Sequence, residues 1–313
     1  MVRILGFLVG LGFVGVAAWS LLWGVIAYVG EPPAATAEHR FHEEARNISY
    51  SFNGPLGRYD TQQLQRGFQV FKEVCAACHS LNYVAFRNLR EIGYTEAEVR
   101  AIADQWPIQV ASINPDTGEP ATRKAIPADH FPSPYANETA GRAANNNALP
   151  PDLSLMAKAR EGGPAYIASL ITGYRDPATY RNEEGEALPA ENRPSGTLHF
   201  NPYFANLNIA MPPPLTADGQ VTYAPGNPAP TRAQMAEDVS AFLMWAAEPN
   251  ADQRKNMGLV ALVFLTLATI LAYMAYQQIW HGGASRRVRR TGALDPENQA
   301  RIAEAKGEAG IAG

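Results

Sequence analysis

The chain has 313 residues, with 26 Lys and Arg against 30 Asp and Glu for a formal net charge of −4, and two cysteines. Between Glu31 and Asn256 it holds 26 acidic and 19 basic residues, a balance that excludes nucleic acid as a partner and suits a basic protein. Two cysteines exclude the disulfide framework of small secreted domains, and 26 Gly with 24 Pro point to many loops.

Residues 4–29 form an apolar run preceded by Arg3. Two readings compete for it: a signal peptide cut after Ala35-Thr36-Ala37, or an uncleaved membrane anchor. A signal core spans about 7–15 residues. This run is longer and carries Trp19, Trp23 and Tyr28 toward its far end, where interfacial anchors sit, which favours retention. On either reading Arg3 stays inside and the chain after Gly30 emerges on the other face.

Residues 59–71 read as a helix with Asp60 as N-cap and Gln63 completing a capping-box-like pair. Leu64, Phe68, Phe71 and Cys75 share one face, so burying that face carries the next segment to the edge of a core. That segment is Cys75-Ala76-Ala77-Cys78-His79. Two thiols at this spacing match the two vinyl groups of a haem, to which they bond as thioethers, and the adjoining His supplies an axial iron ligand. A thioredoxin-like pair needs no His79 and belongs beside a strand-helix unit. A zinc knuckle needs a second Cys pair, which this chain lacks.

Thr95 and Glu98 form a capping box that opens a helix to about Gln105, ended ahead of Pro107. Residues 108–151 show no sustained period and read as an extended loop region. Two short helices follow, over 152–161, closed by Gly162 and Gly163, and over 164–172, closed by Gly173. Residues 181–195 read as a polar, solvated insert. Thr231 caps a helix to Ala247 with Met235, Val239, Phe242, Leu243 and Ala246 on one side, stopped by Pro249.

The uncharged run 257–280 would make a helix of roughly 36 Å, enough to cross a hydrocarbon core of about 30 Å. Arg286, Arg287, Arg289 and Arg290 follow it, and the positive-inside tendency puts them in the cytoplasm and the body outside. The polar tail from Thr291 reads as disordered. The chain thus divides into an N-terminal signal or anchor (1–37), an external body (38–256), a transmembrane helix (257–280) and a cytoplasmic tail (281–313).

An electron-carrying haem c takes a second axial ligand that closes the iron and sets its potential. Met235 and Met244 belong to the packed face of a helix and Met156 to a helical run, which leaves Met211 and the histidines His39, His42, His130 and His199. Met211 opens Met211-Pro212-Pro213-Pro214, where prolines stiffen the loop that presents the thioether. It is the first choice on local chemistry, with His130 and His199 the main alternatives.

Several stretches together, Leu64 to Ser80, Arg142 to Ser154, Phe200-Asn201-Pro202-Tyr203-Phe204, Met211-Pro212 and Trp245-Ala246-Ala247-Glu248-Pro249, resemble cytochrome c1 over about residues 52–280. The resemblance implies a mostly α, cytochrome c-like haem domain with long loop insertions, a C-terminal transmembrane helix and an N-terminal hydrophobic helix. It implies one covalently bound haem c, held by Cys75 and Cys78 with His79 and Met211 as axial ligands. It further implies that Arg160 pairs with a haem propionate, that Tyr166 and Phe204 line the pocket, and that Asn145, Pro150 and Pro151 cover another side. The chain would then sit in the cytoplasmic membrane with its haem domain in the periplasm, beside cytochrome b and the Rieske iron-sulfur protein of the cytochrome bc1 complex. It would pass electrons to a soluble or membrane-bound cytochrome c and itself make and break no substrate bond. The competing readings are a monohaem carrier of another respiratory complex, a haem enzyme with an open sixth position, and a structural subunit in which haem is incidental.

Overall fold

The computed structural model describes residues 2–30 and 36–291, with 299–300 and 303–304 in the tail, and for 281–291 the backbone alone. Of the motif Ala35-Thr36-Ala37, after which cleavage is expected, Ala35 lies outside the described residues, as do the side chains of the Arg286–Arg290 cluster and most of the tail after Thr291.

The elements in chain order are α1 (Val2–Gly30), α2 (Ala37–Phe41), α3 (Thr61–Val70), α4 (Glu96–Asp104), β1 (Val110–Ile113), β2 (Pro120–Arg123), α5 (Glu138–Ala144), α6 (Met156–Ala159), α7 (Gly163–Thr172), β3 (His199–Phe200), β4 (Asn208–Ile209), α8 (Arg232–Ala247) and α9 (Ala251–Thr291). Helix dominates, as the fold class requires, and the strands make two antiparallel pairs, β1 with β2 and β3 with β4. Two compact units emerge, one of residues Met1–Ser51 and Tyr59–Pro249, the other of Phe52–Arg58 and Asn250–Gly313.

In the first unit, the core forms where α3 crosses α8. Gly67 permits the close approach: a Cβ there would lie 2.0 Å from the Asp238 carbonyl oxygen. Around it the rings of Phe68 and Phe71 each pack at a tilt against Phe242 with centroids 5.6 Å apart. Arg66 and Asp238 meet across the same crossing in a buried two-pronged ion pair of 2.9 and 3.0 Å. Tyr223 donates to the same carboxylate at 2.9 Å, so the buried charge is fully partnered. Phe86, Trp106 and Phe131 extend the aromatic layer, with Phe86 and Phe131 only 4.3 Å apart.

All three helix N-caps read from sequence are present, Thr231 accepting from Gln234 N. Asp60 accepts from the N–H groups of Gln62 and Gln63, and Thr95 and Glu98 form the reciprocal box. Four expectations are corrected. Residues 108–151 are not all loop: they contain the β1–β2 hairpin and α5, capped by Asn137. Strand β1 buries Val110 and Ser112 more deeply than Ile113, which is 68% exposed, so its apolar pattern carries no strand signal. The helix over 152–161 shrinks to α6, because the Asp152 carboxylate is drawn into side-chain bonds that hold its backbone out of the helix. Helix α8 is buried well beyond one side, with Ala236, Asp238, Ser240 and Ala241 as covered as Phe242 and only Glu237, Met244 and its two ends left partly open. Residues 181–195 form a loop as expected, but buried Leu188 pins it to Phe41, Phe200 and Leu207.

The fourth correction concerns the second unit, where α9 outruns the uncharged segment at both ends. Among the described residues two helices are long and apolar enough to cross a membrane, Val2–Gly30 and Ala251–Trp280, and no residue in the apolar window of either is buried.

Candidate functional site

Helix α3 ends in a single π turn, Phe71–Cys75, in which Phe71 O accepts the Ala76 N–H at 2.8 Å. The carbonyl of Cys75 then accepts from Cys78 N at 3.1 Å and His79 N at 2.9 Å. Residues three and four apart on such a turn share one face. Cys75, Cys78 and His79 therefore present together on the end of a helix anchored by its buried Phe68 and Phe71.

The His79 Nδ1 lies 2.8 Å from the carbonyl oxygen of Pro151. A carbonyl only accepts, so Nδ1 carries the proton and Nε2 keeps the lone pair, the arrangement that orients a metal-binding imidazole. Burial lowers the pKa of His79, against smaller opposing effects of the Pro151 bond and the Asp152 charge. The ring is thus neutral, as a ligand must be. Burial, with the neighbouring Cys78, pushes the Cys75 thiol up to about 12. Redox-active cysteine pairs have depressed values, so a thioredoxin-like role does not fit. Among the described residues no three His, Cys, Asp or Glu side chains gather to hold a metal ion, which leaves this pair without the extra donors of a zinc site.

The segment after His79 is zipped to the segment after Pro151. Leu153 N donates to Ser80 O at 2.9 Å, and Asp152 accepts from Ser80 Oγ at 2.8 Å and Asn82 N at 2.9 Å. Tyr83 N donates to Ser154 Oγ at 3.0 Å. Burial alone would raise the Asp152 carboxyl, but bonds from Ser154, Asn82 and Ser80 outweigh it and hold the group below the usual carboxylate range.

Met211 is half-buried, with Pro213 and Pro214 half-buried beside it and Leu215 fully so. Its carbonyl accepts the Tyr174 hydroxyl at 2.9 Å. Burial, and next the Tyr166 hydroxyl, raise the pKa of Tyr174, which stays a donor at any ordinary pH. Tyr166 is also raised by burial, opposed by the charge of Arg160. Tyr174 therefore donates to the Met211 loop, and Tyr166 lies within electrostatic range of both Arg160 and Tyr174.

The structure thus joins His79 to Pro151, while Arg160 is exposed and Tyr166 half-buried. Asn145 is fixed within its own loop as the C-cap of α5, where its amide donates to Tyr135 Oη at 2.8 Å and Gly141 O at 2.7 Å. Phe204 sits in the turn that Asn201 and Leu207 close. Of the alternative imidazoles, His130 is exposed and bridged to Ala85, while His199 meets the Tyr174 ring edge-on at 6.3 Å. Sequence reasoning missed Tyr174, a lone Tyr after Gly173 with no pattern around it. It also took Asp152 for a helix start, although Asp-Leu-Ser already signals a side-chain turn, here closed by Ser154 N on Asp152 Oδ1 at 2.9 Å.

Residues 50–282 match the cytochrome C1 family. The chain belongs to that family. It is 45% identical to a Rhodospirillum rubrum protein named cytochrome c1, over 74% of this chain and 85% of that one. It is 42% identical to the mitochondrial cytochrome c1, heme protein, of Kluyveromyces lactis, over 89% of each. A Bradyrhizobium diazoefficiens protein named cytochrome b/c1 is 42% identical over 74% of this chain, which spans only 35% of that longer protein. A cytochrome c1 chain needs paired thiols, a neutral imidazole with Nε2 open, and a second soft donor. The paired thiols and the neutral His79 imidazole on the α3 turn fit a haem c.

Proposed function

We propose that this chain is the haem-bearing electron-transfer subunit of a cytochrome bc1 complex. The observation that carries the reading is the His79 imidazole, fixed through Nδ1 at 2.8 Å from Pro151 O directly after the Cys75–Cys78 pair. Cys75 and Cys78 would retain one haem covalently, and His79 Nε2 and the Met211 sulfur would hold its iron. Bound there, the haem supplies one-electron chemistry between ferric and ferrous iron.

The chain's own residues do the rest. Pro151 keeps the imidazole in one tautomer, and the Asp152 clasp fixes the turn that presents it. Tyr174 and the prolines hold the thioether in place, which closes the iron to small molecules. Arg160 would offer a cation for a propionate, and Phe204, Asn145 and Pro150 would limit water around the ring. Excluding water lowers the reorganisation that accompanies each change of charge.

Helix α9 crosses the cytoplasmic membrane, with the haem domain in the periplasm and the Arg286–Arg290 end in the cytoplasm. Cytochrome b is the membrane neighbour, in keeping with the cytochrome b/c1 name of one relative. The mobile Rieske iron-sulfur protein delivers electrons and a cytochrome c takes them away. The acidic body steers a basic acceptor, so transfer slows as salt rises. The test is purification from membranes: haem remains on the denatured polypeptide, cytochrome b and a Rieske protein copurify, and the reduced protein binds no carbon monoxide. Carbon monoxide binding would instead indicate a haem enzyme, and copurification with an oxidase would indicate a carrier of another complex.

A further inference from the structure

The second unit brings a seven-residue loop against the start of α9. Lys255 donates through Nζ to Phe52 O at 2.5 Å and Gly57 O at 3.1 Å, and Arg58 Nη2 donates to Asn256 Oδ1 at 3.3 Å. The loop is stiff. Gly54 has φ +74°, and a Cβ on Gly57 would fall 2.1 Å from Asn53 O, so neither position accepts an ordinary side chain. Pro55 fixes one further dihedral. Between these constraints sits Leu56, 74% exposed.

A single exposed leucine means little on a water-facing surface. Its height along the helix changes that. The two clasp residues are the last polar ones before the uncharged run that begins at Met257. At 1.5 Å per residue Met257 lies about 3 Å beyond Lys255 along the axis, within reach of a leucine side chain next to Gly57. The charges fit the same level: Arg58, Arg254 and Lys255 stand here against Asp252. A helix entering lipid needs its boundary cations among phosphate headgroups, with apolar side chains just beneath.

We infer that the loop Phe52–Arg58 is a foot resting on the bilayer, with Leu56 inserted at the boundary between headgroups and acyl chains. The inference depends on α9 being a membrane span. The foot fixes how deep the helix sits and resists its sliding, since moving α9 inward would drag Arg58 below the headgroups and moving it outward would lift Leu56 into water.

Site-directed spin labelling of the full-length protein in phosphatidylcholine–phosphatidylglycerol nanodiscs tests it. Nitroxides are placed at Leu56→Cys and, separately, at Leu265→Cys in the uncharged run, with the unsubstituted protein giving the labelling background. The expected result is that both labels collide more often with oxygen than with a water-soluble nickel chelate, Leu56 at a shallow depth of about 5–10 Å and Leu265 deeper. A Leu56 label that favours the nickel chelate while Leu265 favours oxygen overturns the foot and leaves the span intact. A Leu265 label in water overturns both. Adding Lys255→Met removes the two Lys255 bonds of the clasp, so the Leu56 label becomes more mobile and loses its fixed depth; an unchanged spectrum overturns the role given to Lys255.

Discussion

The two sides of the site are held by different means. On the His79 side, hydrogen bonds do the work: one on the imidazole and four more linking residues 80–83 to 152–154. On the Met211 side the described side-chain donors reach only backbone carbonyls, Tyr174 that of Met211 and Gln220 that of Pro214, each at 2.9 Å, along a run of three prolines that lack N–H groups altogether. The first strategy stores stability in the clasp, and the second restricts dihedral freedom while storing little. Variants on the His79 side are therefore expected to cost folding as well as haem, and those on the Met211 side to alter the iron while sparing the fold.

The largest effect is expected from His79→Ala, which removes the ligand and the Pro151 bond together. Haem staining of the denatured polypeptide should fall to near background, and the thermal midpoint should drop. Met211→Leu comes next and sharpens the contrast. The potential should fall by a sizeable part of the roughly 0.8 V that axial ligands command, carbon monoxide should bind the reduced protein, and thermal stability should change little.

Asp152→Ala breaks the His79 side without touching a ligand. Three donors lose a charged acceptor, so about 2–3 kcal/mol of stability should go, read by denaturant titration. Because the folded Asp152 carboxyl lies below the usual range, its contribution is present above the unfolded pKa of about 4 and lost as pH falls below it. The wild type should lose stability over that acid window more steeply than the variant. Equal slopes would deny Asp152 its role. Tyr174→Phe should be the mildest, about 1 kcal/mol for one hydrogen bond, with a small shift in potential and haem fully retained.

What the sequence disclosed follows the same division between local and distant causes. The Asp60 and Thr95 caps, the Cys75–His79 spacing and the apolar run of α9 rest on residues a few positions apart, and the structure contains all of them. The Asp152 clasp joins residues 70 positions apart from Asn82, and the Tyr174 bond to Met211 spans 37; no short-range pattern announces either. The β1 strand hid because Ser112 faces inward and Ile113 outward, the reverse of what an apolar pattern requires. Helix α8 looked one-sided because Asp238 is polar, yet Arg66 makes that residue a core group.

The central claim is that one iron is held between His79 and Met211. Near-infrared magnetic circular dichroism of the oxidised full-length protein tests it directly, through the charge-transfer band that a methionine sulfur gives with ferric haem. The band is expected in the intact protein and should be lost in Met211→His, with haem still covalently attached. A band that is absent from the intact protein, or that survives the substitution, would contradict it.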